Sequence, residues 1–314
     1  MAYSVSYTAA GDGVSYVNLE GPLTEKDIRK IIAIGGMDRI QARFLPRPED
    51  LTALNWRYYS LYPQTGLRLY SLDAGNDCAD LARMTNIRKL SLSSWENVDN
   101  IDALSRLARF RKLKVLDLSY KKNIDALAEL PELESLTLSG VTPASLSFIN
   151  RLAGLKRLRI HRGSIHDFSE LYGNESIVAL QLFRIANLDS AELVARLPNL
   201  EALELSQLRH ISKLPDLSAH QKLRHVLLDD MKSLADLSGL EHCAALESFH
   251  FSMCPPCFAL DGPLPVLRNR RLRQCALYTS SAKKNEQFGK LIAEYGKEKK
   301  SSFITVRKML YNCV

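Results

Sequence analysis

The chain contains 314 residues, of which 46% are hydrophobic and 25% are charged, and its formal net charge is +7. These proportions are typical of a folded globular protein and exclude disordered and fibrous chains. No stretch approaches the roughly 18 uninterrupted apolar residues that a membrane-spanning helix requires. Of the 52 leucines, 42 lie between residues 51 and 250, which predicts a repeat rather than two ordinary domains.

Residues 1–66 are predicted to form an N-terminal cap, because the first unit of a repeat would otherwise expose apolar surface. Apolar and polar residues alternate over residues 3–7 and again over residues 14–17. A turn with two glycines lies between these segments, at residues 10–13. This pattern predicts a β-hairpin.

A short helix is predicted after the hairpin. Thr24 and Asp27 have the spacing of a capping box, in which each side chain accepts a hydrogen bond from the backbone of the other residue. The helix is expected to end at Gly35 and Gly36, because glycine readily terminates helices. Residues 37–66 are interpreted as one degenerate first repeat.

Residues 67–279 are predicted to form about ten repeats of the skeleton Leu-x-x-Leu-x-Leu. The last two apolar positions of this skeleton are two residues apart, so in a strand both side chains point to one face. One unit cannot bury its leucines alone, and neighbouring units are therefore expected to stack and to pair their strands in parallel. The units begin 20 to 26 residues apart, at Leu67, Ile87, Leu113, Leu133, Leu155, Ile177, Leu200, Leu223, Leu246 and Leu272.

Residues 280–314 are predicted to form a basic C-terminal cap. An amphipathic helix is predicted in its first half, where Phe288, Leu291, Ile292 and Tyr295 follow helical spacing. The segment Phe-Ile-Thr-Val at residues 303–306 is rich in β-branched residues and predicts a last strand.

In the length and skeleton of its units, the chain resembles the leucine-rich repeat family, and the 22–23-residue units are most similar to the SDS22-like intracellular class. The resemblance implies an α/β fold, in which a leucine-rich repeat solenoid curves into a right-handed horseshoe with a parallel concave β-sheet and capping ends. It also implies a protein that binds other proteins. The chain departs from the family at the eighth position after each first leucine, where the usual asparagine is absent.

No common nucleotide-binding or hydrolase motif is present in the sequence. We therefore expect a non-enzymatic protein that needs no cofactor. The six cysteines are too sparse for a disulfide framework, and the first residues lack the pattern of a secretory signal. These features favour a cytoplasmic location, and secretion as a signal-less bacterial effector stays an alternative.

Two groups of residues have a possible chemical role. The pair Cys254 and Cys257, separated by two prolines, could be a redox pair or half of a zinc site. By strand register, His225 and Asp229 flank His250, which could place three metal-binding side chains together. A second ligand pair is missing for the cysteines, and the diagonal separation of about 8 Å between the strand positions is long for metal ligation. A structural role is favoured for the two cysteines, exposed positions at a protein interface are favoured for the histidines, and no metal is expected.

The concave face is predicted to bind the partner protein, because its side chains are not needed for packing. The early repeats carry small polar residues there, whereas the later repeats carry charged and aromatic residues of the types enriched at protein interfaces. The chain is expected to act as a monomer. The candidate partner-binding residues are Arg157, Arg159, His161, Arg162, Gln181, Phe183, Arg184, Glu204, His225, Asp229, His250 and Tyr278.

The positive charge is concentrated near the C-terminus. Residues 268–308 contain twelve basic and three acidic residues, a net charge of +9, so the rest of the chain has a net charge of −2. An alternative function is therefore the binding of nucleic acid or another acidic surface through this region. The candidate residues of the basic cap are Arg268, Arg270, Arg271, Arg273, Lys283 and Lys284.

Overall fold

The computed structural model describes residues 3–7, 14–72, 78–94, 104–106, 112–119, 124–130, 132–256, 258–300 and 303–311. The chain divides into two compact units. Unit 1 comprises Met1–Pro143, Phe148–Leu155 and Cys313–Val314, and unit 2 comprises Ala144–Ser147 and Lys156–Asn312. None of the helices in these described ranges is long and apolar enough to cross a lipid bilayer.

The sheet of unit 1 consists of β1 (Tyr3–Tyr7), β2 (Ser15–Leu19), β3 (Arg39–Ala42), β4 (Gly66–Leu72), β5 (Lys89–Ser94), β6 (Val115–Ser119) and β7 (Ser135–Ser139). The strands pair with their neighbours in chain order. β1 and β2 are antiparallel, and the later pairs are parallel. The predicted hairpin is confirmed, and the turn predicted at residues 10–13 lies outside the described residues.

The first helix of unit 1, α1 (Glu25–Ile34), begins with the predicted capping box. The Asp27 N–H donates to Thr24 Oγ1 at 3.2 Å, and the Thr24 N–H donates to Asp27 Oδ2 at 3.0 Å. α1 ends at Gly35, where φ is 93° and a side chain would be strained. α2 (Pro48–Ala53) continues directly into a π-helical segment over Leu54–Tyr59.

The sheet of unit 2 consists of β8 (Arg157–His161), β9 (Ala179–Phe183), β10 (Ala202–Ser206), β11 (His225–Asp229), β12 (Ser248–Ser252) and β13 (Gln274–Leu277). The pairs from β8 to β13 are all parallel. Its α-helices are α3 (Glu192–Ala195), α4 (Leu264–Arg268), α5 (Ala282–Glu294) and α6 (Phe303–Tyr311). Strands were predicted in each of the ten repeats, and β4 to β13 confirm all ten.

The core lies on one side of each sheet because strand side chains alternate in direction. In β10, Leu203 and Leu205 are fully buried, and they pair in register with Val226 and Leu228 of β11. Short 3-10 helices bring further apolar side chains to the same core, as Leu240 does within Ser238–Leu240. The spacing of two apolar residues along each strand therefore fixes the direction of the core.

A left-handed backbone residue follows each strand from β7 to β12. These residues and their φ values are Gly140 (68°), Arg162 (61°), Arg184 (53°), Gln207 (53°), Asp230 (48°) and Met253 (52°). The N–H of Arg184 donates to Ser206 O at 3.0 Å, and the N–H of Gln207 donates to Asp229 O at 2.9 Å. Backbone bonds thus join successive turns where the family uses an asparagine ladder.

The prediction of a last strand at residues 303–306 is wrong, because these residues lie in α6. In a helix, Val306 and Leu310 are four residues apart and share one face, which is buried against the sheet of unit 2. Packing of this face outweighs the β-propensity of Ile304, Thr305 and Val306. The predicted helix over residues 288–295 is confirmed by α5 and begins at the N-cap Ser281.

Candidate protein-binding surface

In unit 2, the sheet face that points away from the core corresponds to the concave face predicted from the sequence. Helix α6 lies on it and contacts β8, β9, β10 and β11. Ala179, Ala202 and Leu227, one from each of three adjacent strands, form a buried hydrophobic cluster with Val306 and Leu310 of α6. Met309 packs against the same cluster. The middle of the predicted binding surface is therefore covered by a helix of the same chain.

Four of the predicted partner-binding residues are buried: Arg159, Gln181, Glu204 and His250. Arg307 Nη2 of α6 lies 3.7 Å from Glu204 Oε1, and Ser206 Oγ donates to the same oxygen at 3.2 Å. Burial raises the pKa of Glu204, and the charge of Arg307 opposes this shift. Glu204 is thus a buried acid that faces one basic residue of α6.

The histidines of this face contact polar and aromatic neighbours. His161 Nε2 lies 2.6 Å from Gln181 Oε1, and His225 Nδ1 lies 2.7 Å from Ser248 Oγ. The His250 ring centroid is 5.6 Å from that of Tyr278. Burial lowers the pKa of both His225 and His250, which favours their neutral forms.

The constellation of His225, Asp229 and His250 does not form a metal site. Their strand positions bring His225 opposite Ser248 and His250 opposite Leu227. The Asp229 carboxylate accepts a hydrogen bond from the Ser252 hydroxyl. Across the part of the chain that the structure describes, no three His, Cys, Asp or Glu side chains are close enough to hold an ion.

Other predicted residues lie at the border of the surface. Arg162 and Arg184 are exposed in the left-handed turns, Tyr278 is 39% exposed, and Arg157, His161, Phe183, His225 and Asp229 are half-buried. Next to Arg184 is a cleft of about 300 Å³, lined among others by Asn187, Gln207, Arg209, His210 and Asp230. Basic and acidic side chains that can donate and accept hydrogen bonds therefore lie beside the part of the surface that α6 covers.

Cys254 is a buried thiol near this surface. Its Sγ donates to Phe251 O at 3.3 Å, and burial raises its pKa to about 12. A thiol with such a pKa is protonated at neutral pH and is a poor nucleophile. Cys257, the second cysteine of the predicted pair, lies outside the described residues.

The regular parallel strands match those of solved structures. Internalin F of Listeria monocytogenes is 16% identical, with a TM-score of 0.45 and coverage of 80% of this chain and 76% of that one. Internalin C2 of the same organism is 17% identical, with a TM-score of 0.43 and coverage of 73% and 83%. A chain in the Drosophila Toll–Spatzle complex is 14% identical, with a TM-score of 0.51 and coverage of 88% of this chain and 47% of that one.

The chain has the fold of a leucine-rich repeat solenoid. At such low identity the solved structures establish the fold alone. No protein-family model matches the chain, and no curated protein matches it.

The predicted basic cap consists of residues with different surroundings. Arg270, Arg271, Arg273 and Lys283 are exposed. Arg268 lies 3.9 Å from Glu241, the longest of the ion pairs within the described ranges.

Lys284 has a structural role in the same region. Its Nζ donates to the carbonyl oxygen of Phe258 and, at 3.3 Å, to that of Pro256. Lys297, which was not among the candidate residues, likewise donates to Asn269 O and Leu272 O at 2.9 Å. Part of the positive charge therefore fixes loops of unit 2.

A group of basic and aromatic residues on the corresponding face of unit 1 was not predicted from the sequence. Arg39 and Tyr16 lie on β3 and β2, and Arg68 and Tyr70 lie on β4. The signal was available, because Arg39, Gln41 and Arg43 alternate with the apolar Ile40 and Ala42. This alternation led to no prediction of a binding site, because residues 37–66 were interpreted as a single degenerate repeat.

Proposed function

We propose that the chain is a non-enzymatic protein-interaction module that binds an amphipathic helix of a partner protein on the concave face of β8 to β11. The observation that carries this proposal is the contact of α6 with that surface. A sheet face that buries an amphipathic helix of its own chain has the shape and polarity to bind a similar helix from another protein.

The details of the contact support this type of partner. Ala179 and Ala202 are small and leave room above the sheet, and Leu227 adds an apolar side chain beside them. Glu204 supplies a negative charge next to this apolar centre. A matching helix carries apolar residues at positions i and i+4, like Val306 and Leu310, and a basic residue at position i+1.

The surroundings of the reactive side chains support a non-enzymatic role. The thiol of Cys254 holds its proton at neutral pH, since burial raises its pKa to about 12. His225 shares a hydrogen bond with Ser248, and His250 is buried against Tyr278.

The test uses a synthetic peptide of residues 300–314 and a full-length chain with Val306→Asp and Leu310→Asp, which removes α6 from the surface. We expect this variant to bind the labelled peptide at least about tenfold more tightly than the wild-type chain, whose own helix competes at high effective concentration. Fluorescence anisotropy measures the affinity, and circular dichroism verifies that the variant is folded.

A triple variant that also carries Leu227→Asp is the matched control and is expected to lose the peptide. Equal affinity of the folded double and triple variants would contradict the proposal, because the peptide would then bind elsewhere. Failure of the double variant to bind the peptide would contradict it as well.

A second function, the binding of nucleic acid, is favoured by one observation. The guanidinium groups of Arg270, Arg271 and Arg273 are exposed, and each is without an ion pair among the described residues. Three exposed arginines within four positions provide a surface that can contact successive phosphates.

A further inference from the structure

The concave face of unit 1 carries a cluster of cationic and aromatic side chains, which we call the arginine–tyrosine cluster: Tyr16, Arg39, Arg43, Arg68 and Tyr70. The alternation of strand residues brings them to one face. Ile40 and Ala42 of β3 point to the core, as do Leu67 and Leu69 of β4, and all four are buried. Arg39, Arg43, Arg68 and Tyr70 alternate with these buried residues and therefore point away from the core.

The two tyrosines hold the three guanidinium groups by stacking. Arg39 lies over the Tyr16 ring at 5.3 Å from its centroid, and Arg68 lies over the Tyr70 ring at 4.8 Å. Arg43 approaches the same Tyr70 ring at 5.8 Å. These contacts orient the guanidinium groups and leave their charge in place, because an aromatic ring accepts no proton and carries no net charge.

The three arginines of the cluster form no ion pair in the described ranges, although the charge of Asp117 acts on Arg68. There, none of Arg39, Arg43 and Arg68 forms an ion pair or a side-chain hydrogen bond. The Nε of Arg39 is moreover fully buried and lacks a hydrogen-bond acceptor within these ranges. A buried donor without an acceptor destabilises the protein, so a ligand that supplies an acceptor to Arg39 is favoured.

Repulsion between the cationic side chains of the cluster also favours an anionic ligand. Burial and then the nearby charge of Arg39 lower the pKa of Arg68, and Asp117 and Tyr70 oppose the shift. Lys89 adds a fourth cationic group. It precedes Leu90, the partner of Leu67, and is therefore level with Gly66, which pairs with Arg39. Gly66 therefore lies between Arg39 and Lys89 in the register of the sheet.

We propose that the arginine–tyrosine cluster, together with Lys89, is a binding site for a phosphoryl group. Guanidinium groups match the geometry of phosphate oxygens through paired N–H donors. A phosphoryl group brings up to two negative charges and three acceptor oxygens, which can serve several cations at once. A carboxylate has two oxygens and one charge, which a single arginine can neutralise.

The experiment measures thermal unfolding of the full chain in potassium phosphate and in potassium chloride of equal ionic strength. We expect phosphate to raise the unfolding temperature of the wild-type chain in a saturable way, because a ligand that binds the native state stabilises it. Isothermal titration calorimetry with inorganic phosphate is expected to give at least about tenfold weaker binding for the variant Arg39→Gln with Arg68→Gln. Acetate is expected to have no effect above that of chloride.

The matched control is the variant Lys156→Gln with Lys213→Gln, which removes the same charge from exposed lysines of unit 2. Its response to phosphate is expected to equal that of the wild-type chain. Equal loss in both variants would overturn the proposal, since it would show a general effect of net charge, as would a wild-type chain that binds no phosphate. If Arg39→Gln with Arg68→Gln does not fold, the single exposed change Arg43→Gln serves instead.

A second arm distinguishes the sources of the phosphoryl group. Titration with O-phosphotyrosine and with a phosphoserine peptide, each compared with inorganic phosphate, tests a phosphoryl group carried by a protein. Tighter binding of either compound supports a protein-borne group, and tighter binding of inorganic phosphate supports a free one. Binding of all three that is unchanged by Arg39→Gln with Arg68→Gln would overturn the site.

Discussion

Glu204 is an acidic residue whose pKa is set by its burial in the fold. It is 1% exposed and lies in the middle of β10, beneath α6. Its partner Arg307 is 3.7 Å away and has a side chain that is 42% exposed, so water weakens their attraction. Burial therefore outweighs the ion pair, and the pKa of Glu204 lies above its ordinary value of 4.5.

We expect Glu204→Gln to stabilise the chain at pH 7, because the amide removes the buried charge that raises the pKa of Glu204. The native state holds the Glu204 proton more firmly than the unfolded state does. Stability is thus lost as the pH rises from about 4.5 through the raised native pKa, and the loss persists at pH 7. Thermal unfolding between pH 4 and 7 measures the effect.

The stability difference between Glu204→Gln and the wild-type chain should disappear toward pH 4. Glu201→Gln, a change of a half-exposed glutamate just before the same strand, is the control and should leave stability nearly unchanged. A variant Glu204→Gln that is less stable than the wild-type chain at pH 7 would show that the ion pair with Arg307 dominates instead.

The burial of individual side chains was only partly predictable from the sequence. Strand alternation gave the correct face for Arg159, Gln181 and Glu204, because the direction of a strand side chain depends on local geometry alone. Their burial depends on α6, whose first residues have high β-propensity. No local pattern in β8 to β10 indicates that a segment more than 90 residues away in the chain covers them.

At the scale of secondary-structure elements, close contact between successive turns limits which residues fit. Gly239 lies in the 3-10 helix Ser238–Leu240, and its carbonyl accepts a hydrogen bond from the Leu217 N–H at 2.9 Å. A Cβ at Gly239 would lie 1.9 Å from Pro215 O and 2.8 Å from Pro215 C. The backbone of one repeat therefore fits only against a glycine in the next.

We expect Gly239→Ala to lower the free energy of unfolding by about 2 to 3 kcal/mol, because the clash is with backbone atoms that cannot rotate away. Equilibrium unfolding in urea measures this loss. Gly21→Ala is the control, since a Cβ there meets nothing within 4 Å, and it should change stability by less than about 0.5 kcal/mol. Similar losses in both variants would show that the alanine acts through chain entropy rather than through the contact.

The elements themselves were largely predictable. The Leu-x-x-Leu-x-Leu skeleton identified all ten strands from β4 to β13, because burial of two side chains per strand leaves a strong pattern. The left-handed turns were not predictable, since Arg162, Arg184 and Met253 are not residues that favour positive φ. Hydrogen bonds between neighbouring turns impose this conformation, and such bonds leave no trace in the sequence.

At the scale of the whole molecule, charge is distributed unevenly between two surfaces. Exposed Arg270, Arg271 and Arg273 belong to unit 2, and the arginine–tyrosine cluster belongs to unit 1. The sequence revealed the first group through the local net charge of +9 in residues 268–308. The alternation over residues 39–43 predicts the face of Arg39 and Arg43, but only the fold brings Arg68 and the two tyrosines of the neighbouring strands beside them.

We expect the wild-type chain to elute from heparin at a higher salt concentration than the variant Arg270→Gln, Arg271→Gln, Arg273→Gln. Each phosphate contact contributes about 0.9 to the slope of log affinity for duplex DNA against log salt, so the triple change should reduce that slope by about 2.7. The matched control is Lys156→Gln, Arg209→Gln, Lys213→Gln, a loss of three exposed charges elsewhere in unit 2. Equal slopes for the two triple variants would contradict nucleic-acid binding through Arg270, Arg271 and Arg273.

The spacing of the strands in unit 2 has a consequence for the gene. β9, β10, β11 and β12 begin at Ala179, Ala202, His225 and Ser248, at intervals of 23 residues. One interval corresponds to 23 codons, or 69 nucleotides. Unequal recombination between such equally spaced segments inserts or removes one full turn of the coil without shifting the reading frame or the direction of any side chain. The protein can therefore change in length by whole repeats during evolution while each neighbouring turn keeps its contacts.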